Sequence, residues 1–165
     1  MLKDVLLSHM EYTRWASTRL VAAASELTNE ERTRDFGTVD RSVLGTLVHI
    51  FAADRVWMGR ITGDMPARFI DPDKDMHFSV LQTEWLPLLD QWVDWVSNLP
   101  DSGQMLRYQD LQGHWHESPA WQIVLHLVNH ATHHRGQVQG FLRAMGRVPQ
   151  PLDLIAYYRE KSAKR

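Results

Sequence analysis

The chain contains no cysteine. Disulfides are therefore excluded, and so are thiolate metal ligands and any protein-borne thiol nucleophile. That composition is compatible with a reducing compartment, and a cytoplasmic protein is expected. Long apolar runs are also missing. No stretch reaches the ~18 uncharged apolar residues of a membrane span, so none is expected. The N-terminus Met1-Leu-Lys-Asp-Val-Leu-Leu-Ser-His9 has neither a long apolar core nor a small-residue cleavage pattern, so no signal peptide is expected. An excess of charge of either sign is missing. The net charge is −2 with histidine neutral, and no block of like charges forms a tail beyond the short Arg159–Arg165 end. A general attraction to nucleic acid is thereby disfavoured. Internal repeats and low-complexity tracts are absent.

A chain of 165 residues suits one domain spanning 1–165, long enough to bury a full core without staples. What it has in excess is aromatic and imidazole: seven tryptophans and nine histidines. Tryptophan favours a large core or an association surface.

Apolar residues at steps of three and four predict a first helix over about Leu2 to Ala24. Thr28 followed by Glu31 is a capping-box pattern that predicts a short turn of helix. Ser42 is placed to cap a helix from Val43 to about Ile61, and Gly63 to stop it. Residues 62–77, rich in Gly, Pro and Asp, read as a surface connection. A third helix is expected from about Ser79 to Asn98, with Leu81, Trp85, Leu88, Leu89, Trp92 and Val96 on one stripe, Trp95 off it, and Pro87 kinking it or delaying its start. From Met105 to His116 the helical period gives way to a short two-stranded hairpin. Ser118-Pro119 reads as the start of a helix running to Met145, with Gly146 as terminator. A short helix around Leu152 to Lys161 follows. Four principal helices with one long connection predict an all-α four-helix bundle carrying a small β-hairpin before its last long helix.

The chemistry lies in the run His126-Leu-Val-Asn-His130-Ala-Thr-His-His134-Arg-Gly-Gln137. On a helix the i, i+4 spacing sets His130 and His134 on one face, one turn apart, as half of a transition-metal site. His126 and His130 form a competing pair, and His133 points to the side. A third ligand must come from another helix, and His49 is the best-placed candidate. Three imidazoles would leave positions for water or substrate, the plan of a catalytic site; zinc and nickel both suit such ligands. The plainer alternative is a hydrogen-bonded core histidine or a hydrated polar seam. His114 and His116 are assigned to the surface, His77 to a loop, and His9 to packing. Mid-helix Gly136 and Gly140 suggest close approach by a neighbouring helix of the same chain or of a second subunit.

His126-Leu-Val-Asn129-His130-Ala-Thr-His133-His134-Arg135-Gly136-Gln137, followed by Leu142-Arg-Ala-Met-Gly146 and Pro151-Leu-Asp153-Leu, resembles the DinB (damage-inducible) family. Tyr12-Thr-Arg-Trp15-Ala16 and His49-Ile-Phe-Ala-Ala-Asp54-Arg-Val-Trp57 are similar to the corresponding family segments, although Arg14 and Ser17 stand where asparagine is frequent. The resemblance implies an up-up-down-down bundle, commonly a homodimer, with zinc or nickel held by His49, His130 and His134. Family members include thiol-dependent S-transferases and a mycothiol-dependent isomerase. The implied activity is activation of a low-molecular-weight thiol for transfer to an electrophile; the alternative is a non-enzymatic metal-binding stress-response protein. Arg135 is a candidate contact to an anionic part of the substrate, or else a cap or surface ion pair. Asp54 is expected to support His49 or to be solvated.

Overall fold

In a computed structural model, which describes residues 1–63, 70 and 77–163, the chain is mostly helical with one two-stranded antiparallel sheet. Helix α1 spans Leu2–Ser25 and buries Leu6, Met10, Thr13, Ser17, Leu20 and Ala24 along one stripe, the pattern its apolar spacing predicts. The capping box forms in full. Thr28 Oγ1 accepts from the Glu31 N–H (3.2 Å), and the Glu31 carboxylate accepts from the Thr28 N–H (2.9 Å), opening α2 at Asn29–Thr33. Helix α3 spans Val43–Thr62. Ser42 Oγ accepts from the Gly45 N–H at 3.0 Å, and Gly63 closes the helix with φ 75°, where a Cβ would be strained. The 62–77 connection lies largely outside the described residues; His77 itself has no regular structure and precedes the next helix.

The third helical segment is continuous but changes pitch: α4 (Phe78–Val80), a π-helical turn (Leu81–Trp85), then α5 (Leu86–Ser97). Pro87 explains the wide turn. It has no N–H to donate, and in a regular α-helix its ring would strike the Thr83 carbonyl. The extra residue relieves that contact, and the Leu86 N–H donates back to the Leu81 carbonyl. Leu81, Trp85, Leu88, Leu89, Trp92 and Val96 are all buried as their spacing predicts, while Trp95 is half-buried with its ring edge-on to Trp92.

Strands β1 (Met105–Gln109) and β2 (Trp115–Pro119) pair antiparallel, from Met105 opposite Pro119 to Gln109 opposite Trp115. The Asp110 carboxylate organises the turn by accepting the N–H groups of Gln112 and His114, each at 2.9 Å. Here the sequence expectation needs correcting. Ser118 is not a helix cap; it pairs with Leu106 in the hairpin, and α6 begins at Ala120 and runs to Ala144. Main-chain carbonyls replace the side-chain cap: the Ala120 N–H donates to Gln104 O (2.9 Å) and the Trp121 N–H to Ser102 O (3.0 Å). Gly146, with φ 76°, lies just past the end of α6, and α7 spans Leu154–Ala163.

Helix α1 lies against α5 and α6, α3 lies against α6, and the hairpin leans on α3. Their buried side chains form one apolar cluster. Among the described residues no helix is long and apolar enough to cross a membrane.

The core also contains polar groups. Asp54 on α3 is 2% exposed; Trp85 Nε1–H donates to its Oδ2 at 2.8 Å, and Trp92 Nε1–H donates to its carbonyl at 3.2 Å. Asp54 is thus a buried anchor for two core indoles, neither solvated nor a support for His49. Burial raises its carboxyl from 3.8 to about 7, against the opposing effects of the Trp85 hydrogen bond and the Arg135 charge. With the folded value above the unfolded one, the native state holds the extra proton. This contribution to stability is therefore full below about pH 4 and is lost as pH rises towards 7. Asp54→Asn keeps an acceptor for Trp85 but removes the titration. Urea denaturation across this window should show wild-type stability falling relative to Asp54→Asn by on the order of 4 kcal/mol. Parallel profiles would contradict the assignment.

Candidate metal centre

Where α3 meets α6, three imidazoles converge. His49 follows the buried Leu47 and Val48 on α3, at the edge of its apolar face. His130 and His134 occupy successive turns of α6, beside the buried Leu127, Ala131 and Val138. Packing the two apolar faces together brings the ring centroids within 5.0 Å (His49–His130), 4.5 Å (His49–His134) and 4.6 Å (His130–His134). One nitrogen from each ring lies within 4.8 Å of the others, so the group could hold a metal ion. His49 Nε2 and His130 Nε2 face each other at 3.0 Å, a contact that needs a shared proton or a cation between two lone pairs. Ligands at 2.0–2.1 Å in a tetrahedral zinc site are about 3.3 Å apart, close to the spacing this pair already has.

The surroundings favour the neutral form of His130 and His134. Burial is the main cause that pushes His130 down from 6.5 to about 4, with the neighbouring His134 and His49 adding to it. His134 is also lowered by burial, against an opposing hydrogen bond to Gln137. That bond joins His134 Nδ1 to Gln137 Oε1 at 2.7 Å. Because the amide oxygen can only accept, Nδ1 carries the hydrogen and Nε2 keeps its lone pair. On the solvent side His49 is 43% exposed, leaving the centre open to small molecules.

The structure separates the remaining candidates. His126, the competing partner, stacks on His130 at 5.9 Å and joins Trp57 at 5.5 Å, outside the three-ring group. His133 is exposed and touches the edge of His134. His114 and His116 are exposed beside Asp110 in the hairpin, as expected. His9 bonds the carbonyl of Val5 in its own helix. Arg135 follows His134 by one residue and so projects about 100° away round the helix. Its guanidinium is buried between α1 and α6, donating to Thr132 Oγ1 (2.8 Å) and Ser17 Oγ (3.4 Å) over the Tyr12 ring. It is neither a surface ion pair nor a group facing the histidines.

Two polar residues at the centre had no role in the sequence reading. Gln137 sits three residues after His134, a spacing that places neighbours on one helical face and was legible in principle. Asp40 lies in the loop before α3, with Oδ1 3.5 Å from His49 Nδ1 and Oδ2 3.6 Å from His134 Nδ1. Nothing in its local sequence signals that reach. The loop presses hard on α3, since a Cβ built on Gly45 would lie 2.1 Å from the Asp40 carbonyl oxygen. Gly45→Ala should therefore displace residue 40 and cost roughly 1–3 kcal/mol, measured by urea denaturation. A gain in stability, as expected for alanine in an unstrained helix, would contradict this packing.

The DinB family model matches residues 1–164. The protein called Protein DinB of Bacillus subtilis (strain 168) is 22% identical over 163 residues, covering 94% of this chain and 95% of that protein. With the family pattern spanning the whole fold and its histidines gathered at one helical seam, this chain belongs to the DinB family.

Proposed function

We propose that His49, His130 and His134 hold one divalent metal ion, zinc or nickel, and that the protein is a metal-dependent enzyme activating a low-molecular-weight thiol for transfer to an electrophile. The observation that carries this reading is the convergence of three imidazoles, one nitrogen each, at a solvent-open seam. Bound there, the ion would act as a Lewis acid and make a coordinated thiol or water acidic enough to ionise near neutral pH. The chain's own part is to supply lone pairs. Low imidazole basicity keeps His130 and His134 unprotonated at neutral pH, and Gln137 fixes the His134 tautomer. With no cysteine in the chain, the sulfur must arrive with a cosubstrate. Its bond to the electrophilic carbon forms as the leaving group departs with its electron pair, and the thiol proton passes to water.

The packing of α1, α3, the α4–α5 segment and α6 supports a single DinB-like domain with an up-up-down-down four-helix bundle. A cytoplasmic location follows from the thiol chemistry proposed. The second reading is a non-enzymatic metal-binding stress-response protein, favoured by the burial of Arg135 between α1 and α6, away from the histidines.

His130→Ala and His134→Ala should each reduce bound zinc or nickel from about one equivalent per chain to background by elemental analysis, with helicity retained. Unchanged content in both would end the assignment. Thiol consumption with a panel of electrophiles should vanish on chelation and return with one metal. Tight binding without turnover across the panel would leave the second reading.

A homodimer is also proposed. Among the described residues nothing lies within 4 Å of a Cβ built on Gly136 or Gly140, so no helix of the same chain accounts for them, and both are exposed. A second subunit would supply the close neighbour. Gly136→Arg and Gly140→Arg should convert a dimer to a monomer in sedimentation equilibrium. A dimer unchanged by both would place the interface elsewhere.

A further inference from the structure

We propose that Asp40 is a positioning residue for the histidine centre, setting His49 in the tautomer that turns its Nε2 inward. This inference rests on the metal-site reading above. A single carboxylate spans both helices: Oδ1 faces Nδ1 of His49 on α3, and Oδ2 faces Nδ1 of His134 on α6, at 3.5 and 3.6 Å. Both separations are longer than a hydrogen bond, but a shift of about half an ångström brings either within range. At the present distances the negative charge already favours the ring form with hydrogen on Nδ1. His49 then presents a lone pair on Nε2, where His130 Nε2 meets it at 3.0 Å. A carboxylate behind a ligating imidazole both fixes the ring and raises its basicity.

The loop is built to hold this side chain in place. Arg41, a non-glycine residue, has φ 62°, and the Ser42 N–H donates to the Asp40 carbonyl across it at 2.7 Å, forming a three-residue γ-turn. The Phe36 N–H donates to Arg41 O at 2.7 Å, and the Arg41 N–H to Thr38 O at 3.1 Å. A strained turn persists where its surroundings over-determine it, and such turns cluster at functional sites. Helix capping does not account for Asp40: Ser42 caps α3, and no main-chain N–H bonds the Asp40 carboxylate among the described residues. Nor is it a loose surface charge, with 15% of its side chain exposed.

The experiment uses the full chain, stripped of metal, in the wild-type, Asp40→Asn, Asp40→Ala and His130→Ala forms. Zinc(II) is titrated against a competing chelator. In parallel, 15N–1H correlation spectra report the His49 and His134 tautomers without metal. Asp40→Ala should weaken zinc binding 10- to 100-fold and move His49 from the Nδ1–H form to a mixture. Asp40→Asn, with one acceptor left, should fall between and serves if the alanine variant does not fold. Zinc affinity within twofold of wild type together with unchanged tautomers would overturn the proposal. If wild type and His130→Ala bind zinc equally weakly, the metal-site reading fails, and the metal-free tautomers alone decide the role of Asp40.

Discussion

The candidate chemistry depends on the packing of α3 against α6. Burial of Leu47, Val48, Ile50 and Phe51 on one helix and of Leu127, Ala131 and Val138 on the other fixes their relative position. Each apolar side chain withdrawn from water contributes roughly 1.5–3 kcal/mol, more than enough to hold three imidazoles at a mutual spacing they would not choose by themselves. The cost falls on the rings. The basicity of His130 and His134 drops because the protonated form is poorly solvated there and crowded by its neighbours. The loss of basicity towards protons at the seam leaves nitrogen lone pairs free for a cation.

The molecule keeps two polar systems apart. Asp54 and Arg135 lie in the dry interior, each 2% exposed, where they bind indoles and hydroxyls rather than ligands. The histidines lie at the rim of the same core, where a ring can be half-buried and still reached from water. Residues only one apart in sequence, His134 and Arg135, belong to different systems because one residue is about 100° of helical turn. The family motif is therefore composite. Its histidines face α3 and solvent, while its arginine ties α6 to α1 through Ser17. Read as a string, the motif invites one role for all its members; read on a helix, it supports two.

How much was legible follows from how local each determinant is. Ser42, the Thr28–Glu31 box, Gly63 and Gly146 act within a few residues, and each is found where its sequence context places it. The stripe of α5 and the i, i+4 pair on α6 are likewise properties of one helix. His49 was reachable because few histidines lie on apolar faces. Ser118 misled because its fate is decided by Leu106 across the hairpin and by the carbonyls of Ser102 and Gln104, which no local pattern encodes. Asp40 escaped notice for a similar reason. Its reach depends on the positive φ of Arg41 and on close contact with Gly45, and both arise from tertiary packing.

The most direct test of the central claim is X-ray absorption at the metal edge of protein loaded with zinc or nickel and never exposed to a metal-affinity column. The account predicts imidazole scattering from three histidine nitrogens at about 2.0–2.1 Å for zinc, reduced in step when His49, His130 or His134 is replaced. A bound ion surrounded by oxygen alone, or a spectrum indifferent to all three replacements, would contradict it.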